Sequence, residues 1–296
     1  MEYKMIDAGD HIKISGLKDF NLKHIFECGQ AFRWYKLDEG NYIAVHGRSV
    51  AEFLEAGDDL LVFNSSLEEF KNVWHPYFDL DRDYGAIKRA LEETPAYRQN
   101  DSLKEAMAFG SGMRVLNQDH FEMIVSFIIS ANNQIPRIKK SIDLLSQTYG
   151  DFICTYKGVD YYSFPSAERL AVADPEEVKE ITRVGFRNTR IVGAARAYSE
   201  DRAAFEEVDL DQLKMNLLAL EGVGPKVMDC ILLFGYGIQE TFPVDVWVKR
   251  LMEFLYIGET IPNKRILEYA DKIFGPLRGY AQQYLFYYAR ENKIGK

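Results

Sequence analysis

LLALEGVGPKVMDCILLFGYGIQETFPVDVWVKR, residues 217–250, holds a helix ending, a glycine turn, a second helix and the capped start of a third. The first helix ends at LEGVG, where Gly222 and Gly224 can take positive φ and expose successive backbone N–H groups. Pro225 then stands at the first position of the next helix, where its missing N–H costs nothing. Open amides at a helix N-terminus receive anions, and a DNA phosphate fits because such a contact needs no base sequence. On the Gly-x-Gly alone, the stretch reads as a plain connection between helices.

Its neighbours sharpen that reading. Lys226 lies in the first turn of the second helix, where the positive end of the helix dipole and any burial should lower its pKa. A neutral amine is what nucleophilic attack requires. The plainer alternative is a surface lysine that reaches a phosphate. Asp245 follows Pro243, precedes VWVKRLMEFLY and is an N-cap by type and context. Capping alone accounts for it, yet across a pocket from Lys226 its carboxylate would also stabilise a cation forming at a sugar carbon.

The chain as a whole sets bounds. Its 296 residues are 47% hydrophobic, enough for one large domain or two ordinary ones. Cys28, Cys154 and Cys230 are an odd number without a CxxC pair, so no disulfide framework and no local zinc or iron–sulfur site is expected. A reducing cytoplasm suits them, or the nucleoid if the source is bacterial. The start of the chain lacks the apolar core of a signal peptide, and no apolar run approaches the ~20 residues of a membrane span, so a soluble intracellular protein is expected.

A net charge of −9 argues against a surface that grips phosphates everywhere, so the distribution of charge matters more than the sum. ITRVGFRNTRIVGAARAY, residues 181–198, carries Arg183, Arg187, Arg190 and Arg196 without an acid. A second basic cluster holds Arg137, Lys139 and Lys140. Either also reads as a solvated helix face.

From His11 to about Asn64, HIKI, AFRWYKL, NYIAVHG, SVAEFLEA and LLVFN alternate with DEGN and GDD turns and predict an antiparallel meander. After Ser65 the apolar spacing becomes helical in LEEFKNVWHPYF, YGAIKRALEE and DSLKEAMAFG, with breaks at Pro95 and Gly110. A boundary falls near residue 112. Asp119 and Glu122 open the helix FEMIVSFII with a capping-box pattern, SANNQIP ends it, and a further helix runs from about Pro136 to Tyr149. Beyond it nearly every segment is helical by spacing, so the second two-thirds is read as an all-helical domain. No solenoid repeat and no low-complexity segment is present.

LEGVGPK, the helix behind it and the PVD that follows together resemble the helix-hairpin-helix glycosylase signature with its Gly-Pro-Asp element, a superfamily that excises damaged bases. Members with a lysine at the hairpin combine glycosylase and strand-nicking lyase activity, so the resemblance implies a Schiff base on Lys226. Endonuclease III and the adenine-mismatch glycosylases carry a four-cysteine iron–sulfur loop after the hairpin, whereas this chain has no cysteine after Cys230. CGQAFRW at 28–34, SFIISANNQIPRI at 126–138, VGFR at 184–187, the hairpin and GYAQQYLF at 279–286 are similar, in order, to the 8-oxoguanine DNA glycosylase family.

That resemblance implies an α+β protein, an N-terminal antiparallel β-sheet (TBP-like) domain with flanking helices at 1–112 packed on the helical domain at 113–296, with the site in the cleft between. It implies that Gly29 offers its carbonyl to the N7 hydrogen of the oxidised base, that Gln282 reads the pairing edge, and that Phe286 and Cys230 sandwich the ring beside Phe234. Asn132 would fill the hole left by the flipped nucleotide. Arg137 and Arg187 would bond the orphaned cytosine beside the wedge Phe186, which implies a preference for damage opposite cytosine. Gly222, Val223, Gly224 and Trp247 would hold phosphate.

Without the resemblance, Gly29 is a strand-entry glycine, Phe286 a core residue and Cys230 a small buried apolar group. This chain departs from the family at Phe234, where methionine is common, at Trp247 for histidine, at Phe186 for tyrosine, and at Gln134 within the asparagine run. No metal or organic cofactor is implied, although a monovalent cation bridging hairpin carbonyls and phosphate suits the loop. The expected partner is duplex DNA with oxidised guanine, bound by a monomer and not by a membrane. Two rivals are a helix-hairpin-helix glycosylase for alkylated or mispaired bases and a non-catalytic DNA-binding module. The second would bind with steep salt dependence and release no base.

Overall fold

The computed structural model describes residues 3–38 and 40–294, so Glu39 of the expected DEGN turn lies outside it. The β-branched and aromatic runs near the start form one antiparallel sheet: β1 Lys4–Asp7, β2 Ile12–Ser15, β3 Trp34–Lys36, β4 Tyr42–His46, β5 Ser49–Ala56 and β6 Asp59–Phe63. Strands β3 to β6 meander as expected. The sheet continues past them, because β2 pairs with β6 and β1 adds an outer hairpin, giving the order β1-β2-β6-β5-β4-β3. The run before Trp34 departs from the meander: Leu22–Phe26 forms a helix, and Cys28–Phe32 a turn that enters β3 late.

Successive side chains of a strand point to opposite faces. In β4, Tyr42 and Ala44 join Phe53 in a core under Phe70, Trp74 and Phe78, while Ile43 and Val45 join Val50 on the other face. Burial on both faces explains why NYIAVHG is nearly continuous in apolar character rather than alternating. The second face is covered by a hairpin, β7 Phe152–Tyr156 and β8 Val159–Tyr162, whose Tyr161 packs with Ile43, Val45 and Val50.

That hairpin corrects the all-helical reading of the second domain. Its turn is Lys157-Gly158, both at positive φ (49° and 76°), a geometry that matches the twist of paired strands. The remaining segments are helical. The helices Tyr84–Glu92, Pro95–Gln99 and Ser102–Phe109 precede the helix His120–Ser130 yet share its core through Tyr84, Leu91, Ala96, Leu103 and Met107. The helix Ser102–Phe109 packs along the last helix, Arg278–Asn292. Among the described residues no helix is long and apolar enough to cross a membrane.

Buried polar side chains stitch the sheet to the helices. The Gln30 amide donates to the carbonyls of Ile25 (2.9 Å) and Arg114 (2.7 Å) and accepts from Leu116 N (2.8 Å), which satisfies it inside the protein. Arg33 faces Glu122 at 3.4 Å. Asp119 caps its helix through Glu122 N, but Glu122 turns to Arg33, so only half of the expected capping box forms.

Candidate active site

Between the sheet-side turn at Gly29 and the helices lies a cavity of about 430 Å³. Lys226, Asp245, Trp247, Gly29 and Phe286 all line it, although they come from separate parts of the chain. The helix Leu210–Ala219 leads into the hairpin, where Gly222 takes φ +89°. Only this glycine does so. Gly224 is instead the extended N-cap of the helix Pro225–Phe234 (φ −92°, ψ 179°), which corrects the expectation of two left-handed glycines. A side chain at Gly222 would meet Arg190 Cδ at 2.7 Å, so Arg190 and the turn need glycine there.

Lys226 opens the helix Pro225–Phe234 with Nζ 5.8 Å from the Phe127 ring centre. Its pKa lies above its ordinary value, raised first by the Cys230 sulfur and also by Asp245, while burial pulls it down. The expected lowering is therefore reversed, because facing negative groups outweigh burial. Burial also pushes the Cys230 thiol up. Asp245 Oδ1 accepts Val248 N at 2.7 Å, the N-cap bond the sequence predicts.

The opposite wall comes from Gly29 and the helix Arg278–Asn292. Gly29 has φ +92°, and a Cβ there would sit 3.1 Å from Arg290 Nη1 and 3.4 Å from the Phe286 ring. The turn around it leaves the Gly29 carbonyl open between neighbours that are bonded. Glu27 O accepts from Arg290, Cys28 O from Gln283, Gln30 O from Gln118 and Ala31 O from Trp34. Among the described residues, no hydrogen bond ends on Gly29 O. Gln282 Oε1 is likewise buried without a partner, an acceptor that folding desolvates and leaves unmet.

Two expected base contacts lie deeper. Cys230 is buried beneath Lys226, and Phe234 stacks on Phe127 with ring centres 5.5 Å apart, so Phe127 rather than Phe234 meets the cavity. Phe127, Ile135, Pro136 and Arg290 line the cavity without having been singled out by sequence. Arg290 had a signal: it lies four residues after Phe286, on the same helix face.

Asn132, Phe186 and Arg187 form a second cluster. Arg187 is buried and donates to the carbonyls of Ala131, Asn132 and Val184, holding Asn132 at φ +51°. Phe186 is 60% exposed, with the guanidinium carbons of Arg187 and Arg190 at 4.5 and 5.1 Å from its ring centre. Arg137 is exposed in the first turn of the helix Ile135–Tyr149. The segment 130–138 thus serves both places, since Asn133 to Pro136 line the cavity. Two residues of the basic clusters are engaged by the protein itself: the exposed Arg196 donates to Ala171 O, and Lys139 lies 3.4 Å over the Trp34 ring.

Known families match most of the chain. Residues 13–124 match the N-terminal domain of 8-oxoguanine DNA glycosylase, and residues 125–276 match the HhH-GPD superfamily of base excision DNA repair proteins. A probable N-glycosylase/DNA lyase of Methanothermobacter thermautotrophicus is 30% identical over 93% of this chain and 95% of its own length. The Clostridium acetobutylicum 8-oxoguanine glycosylase/lyase, solved with duplex DNA containing cytosine opposite 8-oxoG, is 40% identical with a TM-score of 0.91, over 99% of this chain and 100% of that one. Its apo form gives a TM-score of 0.90 over 98% of this chain. With the lysine that follows the hairpin and the aspartate gathered on one cavity and both halves matched, the chain belongs to the 8-oxoguanine DNA glycosylase/lyase family of the HhH-GPD superfamily.

Proposed function

We propose that this protein flips 8-oxoguanine out of duplex DNA, releases it through an imine on Lys226, and nicks the strand by β-elimination, with cytosine preferred opposite the lesion. The observation that carries the reading is the convergence of Lys226, Asp245, Gly29 and Phe286 on one cavity. Extruding a base costs a few kcal/mol, which a fitted pocket returns. Phe286 supplies a ring face, Gly29 an unmet carbonyl and Gln282 an unmet amide oxygen for a purine.

Lys226 carries a proton in the free protein, and that proton passes to water before attack. The nitrogen then bonds to C1′ as the glycosidic bond breaks, and the bonding pair departs with the purine, which takes up a proton. Asp245 stabilises the positive sugar. Ring opening gives the imine, and loss of a C2′ proton expels the 3′ phosphate. No organic cofactor enters. The carbonyls of Glu221, Gly222 and Val223 accept no hydrogen bond among the described residues, so they suit a monovalent cation shared with a DNA phosphate. One copy of the chain acts on the duplex, in the cytoplasm.

Single-turnover base release tests this reading on duplexes with 8-oxoguanine opposite each normal base and on a duplex with an alkylated purine. Release from 8-oxoguanine, fastest opposite cytosine, is expected. Release of the alkylated purine alone would assign the site to the other glycosylase class, and binding with no release would reduce it to a DNA-binding module.

A further inference from the structure

The helix Arg278–Asn292 does more than line the cavity. Gln283 Nε2 donates to Cys28 O at 3.1 Å, and Arg290 Nη2 donates to Glu27 O. Both bonds grip the turn immediately before Gly29. A peptide unit is rigid, so holding Cys28 O also fixes the plane that carries Gly29 N. On the other side, the Gln30 side chain is tied to Ile25, Arg114 and Leu116. Gly29 is conformationally the freest residue type, and here it is braced at both ends.

We propose that Gln283 and Arg290 are positioning residues for damage recognition: they hold the open carbonyl Gly29 O at a fixed place relative to Phe286. The inference rests on the functional reading above. Normal and oxidised guanine differ at N7 by a lone pair against a hydrogen, so a carbonyl separates them only if it cannot swing away from the lone pair. Anchoring the turn to the helix that also carries Gln282 and Phe286 makes the carbonyl, the edge reader and the stacking ring one rigid unit. Arg290 is 27% exposed at its side chain and lies 5.7 Å from the Phe286 ring centre, so it braces the ring as well.

The test uses Gln283→Met, Arg290→Met, the double variant and the conservative Arg290→Lys. Two single-turnover rates are measured: base release from an 8-oxoguanine:cytosine duplex, and cleavage of a duplex with a preformed abasic site, which needs no base recognition. Base release should fall about ten-fold in Arg290→Met, the effect of one positioned hydrogen bond, and further in the double variant. Abasic cleavage should stay within about two-fold of the parent, and Arg290→Lys should recover part of the loss. A double variant that releases base at the parent rate overturns the proposal, and so does an equal fall in both rates, which marks a merely structural role. A parent protein that cleaves the abasic site yet releases no 8-oxoguanine overturns the functional reading itself.

Discussion

Gly29 concentrates the chemistry of the site at a single position. Its φ of +92° strains any residue with a Cβ, and the added methyl would press on Arg290 Nη1 at 3.1 Å and Phe286 at 3.4 Å. Backbone strain of this kind costs about 1–2 kcal/mol, so Gly29→Ala should slow base release roughly ten-fold or more in single-turnover assays. Cleavage of a preformed abasic site should change little, and equal losses in both assays would show that the turn serves folding alone. Lys226 and Asp245 drew notice in the sequence as a lysine and an acid at successive helix starts, whereas Gly29 reads there as a strand-entry glycine and was singled out only by the family resemblance; the fold brings all three to one cavity. The upward direction of the Lys226 pKa was not legible, since it comes from Cys230 and Asp245 facing it in space. Gln283 was equally hidden, because nothing in GYAQQYLF says which glutamine turns to Cys28 O.

The hairpin is the element that presents Lys226, and its shape depends on Gly222. Gly222→Ala would place a Cβ 2.7 Å from Arg190 Cδ and disturb the side chain that meets Glu221 at 3.4 Å. If the turn holds a DNA phosphate, this variant should bind undamaged duplex more weakly, with a salt dependence shallower by about one contact. Affinity and salt slope both equal to the parent would remove the hairpin from the DNA interface. Helix starts were read well here because capping is local: Asp119 and Asp245 cap as their positions predict. The hairpin β7–β8 was missed because FICTYKGVDYY sits among helical segments, and its value lies in a distant contact of Tyr161 with Ile43, Val45 and Val50. The Lys157-Gly158 pair between two β-branched and aromatic runs was the signal.

Across the whole molecule, the helical core reaches back into the first third of the chain through Tyr84 and Leu91, a merger that no local pattern announces. The two layers meet at Arg33 and Glu122. Burial pushes the Glu122 carboxyl up to about 7, with Arg33 pulling it down and Asp119 adding to the rise. A carboxyl raised in the folded state favours folding while protonated. Its contribution is therefore full below the ordinary value of 4.5 and is lost as pH rises through 7. Over that window stability should fall on the order of 1 kcal/mol per pH unit from this group, and Glu122→Gln should flatten the fall. Thermal unfolding of parent and variant at pH 5 and pH 8 measures it, and parallel curves would place the pH dependence elsewhere.

The most direct test of the account is borohydride trapping on a duplex with one 8-oxoguanine opposite cytosine, with the parent protein beside Lys226→Gln. A covalent protein–DNA complex is expected with the parent and none with the variant. A trapped complex in Lys226→Gln would assign the imine to another amine, and base release by the parent without any trapped complex would make water the nucleophile.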